Sequence, residues 1–584
     1  GQNWYVEKNN NMPASREFQL SRITDDVYDT VIIGGGITGA CAAWDAAQRG
    51  LRVLLLERGD FGGATSAQSL KILHGGIRYL QHLDIKRLRS SMRERRAFLR
   101  MAPHLTAHRP FVVPTFGQGM QGKNAFRAAL ALLAILTVDR NRGISDPARK
   151  IPGGHTISAT ELQQRFPGLV GPGATGAAVF HDGVLLNPPR LVYEIIATAI
   201  EAGALAVNYC NVDNVDVDQS SNAVSSITFT DILTGQAHTV RTRTVINAAG
   251  PYASGISAGD FRLPQPPLSR DMAFVVSRQF SGEAALALQT RYKDPDAVLS
   301  RGNRHIFMVP WRDYTLIGVN SRLHPDTPDS LRVDEEEVDD FLEEINDACP
   351  DLALTRADIL TVNAGLLPFG SNDDNAENLS FGKRSLVSHA ADLGGATGYI
   401  SAVSVRWTMG RSTAAEAVDR VCDLVYGAPR HCRTTQLNIR GCDYDSVQAV
   451  LDLVKTDSGL KGLSDENATK LVTNYGSNWS QVREVISQDP SMRDAVSRSS
   501  TIRAQVLIAA RHEMATCLAD IVFRRTDIGS GEVPTPAALA ECADIVGLEL
   551  GWNPARKKRE IEAVSKLSPC SLRPGSNMPD SVAV

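Results

Sequence analysis

The residues with the clearest chemical signature lie near the start of the chain, between Tyr28 and Glu57. An apolar, β-branched run leads into Gly34, Gly36 and Gly39, which have the spacing G-x-G-x-x-G. Glycines at these positions allow a tight turn, close approach of a pyrophosphate to the main chain, and close packing of a helix on a strand. The helix N-terminus adds N–H groups and the positive end of a dipole. The pattern predicts a binding site for a dinucleotide, either FAD or NAD.

The elements around this turn are in the order that such a site requires. An alanine-rich helix is predicted over Ile37 to Arg49, and Gly50 ends it. A second apolar strand follows over Val53 to Leu56, and Glu57 comes directly after it. A carboxylate at the end of the second strand can accept hydrogen bonds from both hydroxyls of a ribose. We therefore assign Glu57 to the ribose.

Composition limits the classes of protein that the chain can belong to. Its 584 residues are too many for one core and predict two or three domains. The net charge of −4 argues against a nucleic acid as the main partner. The nine cysteines are scattered and form no C-x-x-C pair, which predicts reduced thiols in the cytoplasm and no metal site.

One apolar run, Ala128 to Val138, is too short for a spanning helix, which needs roughly 18 apolar residues. Two interpretations stay open: a buried helix, or a helix that lies on a membrane surface. The second is suggested by the basic residues on either side of the run, which are Lys123, Arg127, Arg140 and Arg142. Residues 1–27 have no apolar signal-peptide core and are expected to form a loose N-terminal extension. We expect a cytoplasmic location, with peripheral contact to the inner face of a membrane as the alternative.

The predicted fold class is α/β, with a doubly wound, Rossmann-like nucleotide-binding domain, an antiparallel β substrate-binding domain and an all-α C-terminal domain. Residues 28–430 form the first two, with the substrate sheet mainly over 264–400. Residues 102–190 have a mixed pattern that is typical of an insertion. Residues 431–567 contain helical patterns only, and residues 568–584 are predicted to be a disordered tail.

Two histidines are candidates for proton transfer. His74 precedes Gly75 and Gly76, and a Gly-Gly pair lets the main chain run close against a flat or anionic ligand. His74 either takes part in catalysis or bonds main-chain atoms in this turn. His305 lies on a strand of the predicted substrate sheet and is either a base or a histidine at the edge of the core.

Several motifs together resemble the FAD-dependent glycerol-3-phosphate dehydrogenases, over roughly residues 27 to 567. The motifs are IGGGITGA, ATSAQSLKILHGGIRYL, VINAAGP, IFMVPW, NYGSN, RHEMA and FRRT. The resemblance implies a flavin fold like that of D-amino-acid oxidase, with FAD bound without a covalent link. It implies oxidation of the secondary alcohol of a polyol phosphate to a ketone, and transfer of the electrons to a membrane quinone or to oxygen. Whether the chain forms a homodimer stays open.

The resemblance also implies which residues surround FAD. The glycine turn and the acid after it would contact the pyrophosphate and ribose: Gly34, Gly36, Ile37, Thr38, Gly39, Glu57 and Arg58. The next segment would line the phosphates, the ribityl chain and the isoalloxazine: Thr65, Ser66, Leu73, His74, Gly75 and Gly76. Three distant segments would complete the site: Val212; Ala248, Ala249 and Gly250; and Arg406, Trp407 and Thr408.

One departure from the family pattern changes the cation at the flavin. The family has Gly-Gly-Lys before its closing helix, and this chain has Ser404-Val405-Arg406. An arginine keeps the positive charge but does not release a proton readily. Arg406 either supplies charge beside the reduced flavin or forms an ordinary ion pair at the surface.

Two further departures concern the substrate. Where the family has a histidine and a phosphate-binding arginine, this chain has Ala273 and Leu367. A phosphate favours bidentate arginine, and a charge-assisted hydrogen bond is worth about 1.5–3 kcal/mol. Either Arg270, Arg304 or Arg406 replaces the lost arginine, or the substrate is a different hydroxy or amino compound. A third hypothesis is a nucleotide-binding scaffold without catalytic activity.

Overall fold

The computed structural model describes residues 15–77, 79, 84–117, 122–293, 303–368, 385–531 and 533–566, with the main chain alone at 292, 293, 303 and 304. The predicted tail, 568–584, lies outside these residues. The described strands, in chain order, are β1 Tyr28–Ile33, β2 Val53–Leu56, β3 Ile72–Leu73, β4 Thr106–Phe116, β5 His155–Ser158, β6 Ala174–Leu185, β7 Leu205–Val207, β8 Cys210–Asp218, β9 Ala223–Asp231, β10 Gln236–Asn247, β11 Ser257–Ala258, β12 Phe261–Arg262, β13 Leu268–Val276, β14 Ala285–Lys293, β15 Asn303–Trp311, β16 Tyr314–His324, β17 Ile359–Pro368, β18 Leu386–His389 and β19 Tyr399–Val403.

The described α-helices, in chain order, are α1 Arg16–Ser21, α2 Ile37–Gln48, α3 Ile85–Met101, α4 Lys123–Leu136, α5 Ala159–Arg165, α6 Pro188–Glu201, α7 Glu335–Ala348, α8 Gly410–Tyr426, α9 Val447–Thr456, α10 Asp465–Tyr475, α11 Trp479–Gln488, α12 Arg503–His512, α13 Leu518–Asp520, α14 Pro536–Leu550 and α15 Pro554–Ser565. A π-helical turn, Ile521–Arg525, follows α13 directly.

The nucleotide sheet is built around β1. Strand β1 pairs in parallel with β2 and β10, and these pair in parallel with β7 and β19 respectively. The first half of β10 instead pairs antiparallel with β9, and β9 pairs antiparallel with β8. The chain order reverses on the two sides of β1, so ligands are expected in the crevice beyond its carboxyl end, where the glycine turn lies.

Three helices cover one face of this sheet. Helix α2 packs between α6 and α8, and their contact buries Trp44, Tyr193 and Val418 completely. The alanines of α2 are buried almost throughout, because small side chains let the neighbouring helices approach its axis closely. The alanine-rich sequence that predicted α2 therefore also explains why this helix lies between α6 and α8.

The substrate sheet contains strands from parts of the chain that the sequence analysis did not assign to it. Its strand order is β17-β13-β16-β15-β14-β4-β6-β3, with β5 paired to β6. Segment 102–190, interpreted as an insertion, therefore supplies β4, β5 and β6, while β18 and β19 join the nucleotide sheet. The sheet extends beyond the predicted 264–400 because it pairs strands that are far apart in sequence.

Alternation along β13 decides which side chains reach the space between the two sheets. Met272 and Phe274 point to the apolar layer under α7, where Phe274 contacts Phe341. Because successive side chains of a strand point to opposite faces, Asp271 and Ala273 point the other way.

Buried charges hold helix α1 and the π-helical turn of the C-terminal region against the nucleotide sheet and the loop after β2. Arg16 of α1 forms a buried ion pair of 2.6 Å with Asp231, so the described part of the N-terminal extension is not loose. Asp60, in the loop after β2, binds Arg524 and Arg525 of the π-helical turn at 2.6 and 2.7 Å. No helix among the described residues is long and apolar enough to cross a bilayer.

We expect Asp60→Asn to lower the free energy of unfolding by about 3–5 kcal/mol, because it leaves the buried guanidinium of Arg525 without a carboxylate and leaves Arg524 with Asp520 alone. Urea unfolding followed by circular dichroism measures this change. The matched control is Asp544→Asn, which removes an exposed ion pair to Lys557 and should cost about 0–1 kcal/mol. Equal effects of the two substitutions would contradict the importance of the buried pair.

Candidate active site

The glycine turn is fixed by contacts within the protein itself. Gly34 has a φ of +105°, and a Cβ there would lie 2.7 Å from the carbonyl oxygen of Ala248. A Cβ on Gly39 would lie 1.8 Å from the carbonyl oxygen of Gly34. Only glycine leaves enough space at these two positions. Helix α2 begins directly after the first part of the turn, at Ile37.

Glu57 links the turn to the loop that follows β2. Its carboxylate accepts hydrogen bonds from the N–H groups of Gly35 at 2.6 Å and Gly59 at 2.7 Å. Burial raises the pKa of this carboxyl group. Each carboxylate oxygen has a further lone pair, so these bonds are compatible with acceptance of ribose hydroxyls. Glu57 thus supports the turn in addition to the role predicted for it.

A cleft of about 1800 Å³ lies between the two sheets. It brings together residues that are separated by more than half of the chain. The residues singled out from the sequence that line it are Gly34, Gly36, Ile37, Thr38, Glu57, Arg58, Thr65, Ser66, His74, Gly76, Val212, Ala248, Ala249, Gly250, His305, Arg406 and Trp407.

Hydrogen bonds hold the floor of the cleft against both sheets. The hydroxyl of Ser66 accepts from the N–H of Ile37 at 3.0 Å, and the carbonyl of Ser66 accepts from the indole N–H of Trp407 at 3.1 Å. Thr65 donates from its hydroxyl to the carbonyl of Leu366 on β17 at 2.9 Å. The segment is therefore connected to the helix start, to the segment before α8 and to the substrate sheet.

Gly75 does not line the cleft, in contrast to the prediction. Its N–H donates to Asp182 at 2.6 Å, and Arg95 binds the same carboxylate oxygen at 2.5 Å. A Cβ on Gly75 would lie 2.2 Å from the Arg95 guanidinium. The close packing of this buried ion pair therefore requires glycine at position 75.

Gly39, Leu73 and Thr408 also lie behind the cleft wall. Leu73 is fully buried and pairs with Gly183 in the substrate sheet. The hydroxyl of Thr408 accepts a hydrogen bond from the main-chain N–H of His74 at 3.0 Å. These residues position the lining of the cleft, and their assignment as direct cofactor contacts stays a prediction.

The substrate sheet supplies the polar groups at the other end of the cleft. Asp271 from β13, His305 from β15 and Asn363 from β17 line it, together with Ala273 and Leu367. The hydroxyl of Ser269 donates to Asp271 at 2.8 Å. The structure thus places a carboxylate, an amide and an imidazole on one face of a rigid sheet.

Two guanidinium groups lie over the ring of Tyr79. The guanidinium carbon of Arg406 is 4.9 Å from the ring centroid, and that of Arg87 is 5.7 Å from it. Arg87 also pairs with Asp84 at 3.1 Å. All four residues line the cleft, and because Asp84 offsets one of the two cations, this group has a net charge of one, with both arginines in cation–π contact with Tyr79.

Arg270 does not belong to the site. Its guanidinium forms an ion pair with Glu337 of α7 and donates to the carbonyl of Arg332 at 2.8 Å. Arg270 lies on the face of β13 opposite to Asp271, so the sequence-based assignment to an anion clamp is wrong. The side chain of Arg304, the other predicted clamp residue, lies outside the described residues.

Some lining residues were missed by sequence reasoning. Asp271 and Asn363 could have been found from the alternation of β13 and its pairing with β17. Lys71 lines the cleft with its ammonium nitrogen 4.8 Å from the ring centroid of Trp311, and burial lowers its pKa to about 7. No sequence pattern indicates this burial, because it depends on packing with a distant strand.

The fold and the cleft define a dinucleotide-dependent oxidoreductase. Matches to family models give the particular family: residues 29–414 match "FAD dependent oxidoreductase", and residues 432–557 match "C-terminal domain of alpha-glycerophosphate oxidase". The chain belongs to the FAD dependent oxidoreductase family, which confirms the predicted fold class and cofactor. The glycine turn, the helix start and Glu57 fit the nucleotide part of FAD, and the cleft is continuous from them to Arg406.

Full-length relatives and a solved structure agree with this assignment. Glycerol-3-phosphate dehydrogenase of Synechocystis is 28% identical over 92% of this chain and 96% of that protein. The mitochondrial glycerol-3-phosphate dehydrogenase of Mus musculus is 29% identical over 96% of this chain and 76% of that protein. The structure of glycerol-3-phosphate dehydrogenase from Bacillus halodurans complexed with FAD has a TM-score of 0.71, with 22% identity and coverage of 96% and 99% of the two chains. That likeness shows a common fold.

Proposed function

We propose that this protein is a FAD-dependent dehydrogenase that oxidises the secondary alcohol of glycerol 3-phosphate, or of a closely related polyol phosphate, to a ketone. The observation that supports this most directly is the arrangement of one cleft. Its nucleotide end has the glycine turn and Glu57, and its other end has Arg406 and two histidines. The names of the full-length relatives support the same substrate class. We propose a quinone or oxygen as the electron acceptor.

Bound FAD would supply the two-electron acceptor for this oxidation. The chain must provide a group that takes the proton of the hydroxyl, a cation for the substrate anion, and walls that exclude water. The cation is assigned to Arg406, with Arg87 beside it on the Tyr79 ring. Together they replace the arginine that the family has at Leu367.

A second candidate is a flavin enzyme for another hydroxy or amino compound. Leu367 and Ala273, the two residues that differ from the family pattern, both line the cleft. Asp271 also lines the cleft, and a carboxylate there suits an amine or a sugar hydroxyl better than a phosphate dianion.

Anaerobic titration of the FAD-loaded protein with glycerol 3-phosphate tests the proposal. We expect the visible flavin absorption to bleach, whereas glycerol without phosphate should have little effect. Bleaching by a hydroxy or amino acid and not by glycerol 3-phosphate would favour the second candidate. If dithionite alone reduces the flavin in a broad substrate screen, the protein is a non-catalytic scaffold.

Replacement of Arg406 tests the cation. Arg406→Met should lower kcat/KM for glycerol 3-phosphate about 10- to 150-fold, mainly through KM, because it removes a charged hydrogen bond worth about 1.5–3 kcal/mol. Steady-state kinetics measure this, and Arg406→Lys should restore part of the loss. The control is Arg58→Met, at the nucleotide end of the cleft, which should leave KM for the substrate unchanged. An unchanged KM in Arg406→Met would exclude this role.

The two histidines can be separated by substitution. We assign proton transfer to His305, because it lies on a rigid strand of the substrate sheet, whereas His74 lies in a turn held by Thr408. His305→Asn should lower kcat about 10²- to 10⁴-fold, as expected for loss of a general base. Single-turnover flavin reduction measures this step. A larger loss in His74→Asn than in His305→Asn would reverse the assignment.

A further inference from the structure

Lys71 carries a buried amine at the cleft. The residue is 4% exposed, and it lines the cleft in the segment that leads from Ser69 to His74. Among the described residues its ammonium nitrogen makes one hydrogen bond, a long one of 3.4 Å to the carbonyl of Ser69. An ammonium has three N–H donors, and buried polar groups normally have hydrogen-bond partners. The amine is therefore available to a molecule bound in the cleft.

The charged surroundings of Lys71 do not favour a permanent ammonium. No carboxylate in the described part of the chain pairs with the amine, which instead lies 4.8 Å from the ring centroid of Trp311. The charged side chain that acts on it is another cation, Arg312, which is itself paired with Asp527 at 2.6 Å. Burial first, and then this like charge, lower the pKa of Lys71 to about 7. The amine consequently gains or loses a proton near neutral pH.

The main chain holds Lys71 in a conformation that lysine rarely adopts. Its φ is +58°, in the left-handed region. The N–H of Lys71 donates to the hydroxyl of Ser69 at 3.1 Å, and its carbonyl accepts from the N–H of Leu185 at 2.7 Å. A conformation of this kind persists only where the surroundings fix it, and it is frequent at functional sites. These bonds fix the amine relative to the ends of β6 and β15.

The segment that contains Lys71 joins the nucleotide turn to the substrate sheet. Its start is tied to α2 through Ser66, and its end is tied to the segment before α8 through the N–H of His74. The resemblance implies that this segment lines the ribityl chain and the isoalloxazine, and the family assignment establishes FAD as the cofactor. An isoalloxazine presents ring nitrogens and carbonyl oxygens, which are acceptors for the unused N–H donors of an amine.

We propose that Lys71 donates a hydrogen bond to the isoalloxazine of bound FAD and balances the negative charge that the cofactor gains on reduction. The alcohol gives up a hydride, which is two electrons and one proton, and its hydroxyl proton passes to the base, so the cofactor gains one negative charge. The amine of Lys71 takes up a separate proton from water and becomes an ammonium. The total charge of cofactor and amine then stays the same.

Sulfite binding to the FAD-loaded protein tests this role without turnover, so the result does not depend on the identity of the substrate. Sulfite adds its electron pair to N5 of an oxidised flavin and leaves additional negative charge on the ring, so its affinity reports on cations beside the ring. We expect Lys71→Met to weaken sulfite binding about 10- to 100-fold, measured by the loss of visible flavin absorption. Lys71→Arg should restore most of the affinity, because arginine keeps the positive charge.

The midpoint potential measured against pH counts the protons taken up with the two electrons. At about pH 8 we expect about two protons in the unchanged protein, because Lys71 is largely neutral before reduction and the new negative charge raises its pKa. Below about pH 6 the amine is charged in both states, and the number should fall to about one. Lys71→Met and Lys71→Arg should both take up about one proton at about pH 8, since neither side chain titrates there.

The matched control is Lys470→Met. Lys470 approaches the same turn from outside the cleft, where it pairs with Asp313 at 3.5 Å with its side chain 13% exposed. This variant should keep the sulfite affinity and the proton numbers of the unchanged protein. If Lys71→Met does not retain FAD, Lys71→Gln provides the same test, because it keeps a donor and loses the charge.

Equal sulfite affinity and equal proton numbers in the FAD-loaded Lys71 variants and the unchanged protein would overturn the proposal. A Lys71→Met variant that changes only KM for glycerol 3-phosphate would also overturn it, because the amine would then bind the substrate and not the cofactor.

Discussion

The buried carboxylate of Asp60 is the charge on which the relative arrangement of the nucleotide loop and the helical C-terminal region depends. Arg524 and Arg525 bind it from the π-helical turn, and Asn208 donates to it at 3.0 Å. Loss of Asp60 is costly because Arg525 would become an isolated charge in the protein interior, which costs several kcal/mol, whereas Arg524 keeps its ion pair with Asp520. Since Asp60 follows Glu57 by three residues, the same ion pairs restrain the loop that must hold a ribose. The C-terminal helices are therefore part of the support of the cofactor site.

Asn208 extends this support to the N-terminus. The main-chain carbonyl of Asn208 accepts a hydrogen bond from the guanidinium of Arg16. Its side-chain amide donates to the main-chain carbonyl of Met514 and to the carboxylate of Asp60. The turn that contains Asn208 leads directly into β8, where Val212 lines the cleft. Helix α1 and the segment around Met514 thus meet at one turn beside the nucleotide end of the cleft. A substitution far from the cleft in sequence can consequently change cofactor affinity through this turn.

Local sequence patterns predicted the geometry of the glycine turn and the start of α2, because this geometry is formed mainly by the main chain. Gly39 needs no distant information, since a Cβ there would meet the carbonyl oxygen of Gly34 in the same turn, whereas the space beside Gly34 is closed by Ala248, after β10. The prediction failed where a residue's role depends on pairing with distant strands. Arg270 points away from the cleft because of the register of β13, and segment 102–190 belongs to the substrate sheet through pairings that its own sequence does not specify.

The contrast between main-chain and side-chain contacts also explains why the sequence indicates the cofactor more clearly than the substrate. Main-chain groups survive sequence change, so a structure at 22% identity retains the fold. The substrate end is formed by side chains on alternating strand positions, so a substitution there changes the chemistry of the cleft directly. Arg406 and Asp271 both line this end. An anionic substrate must therefore place its charged group beside the arginine and its reacting hydroxyl toward the substrate sheet, because the opposite orientation would bring two negative charges together in a partly enclosed cleft of low dielectric constant.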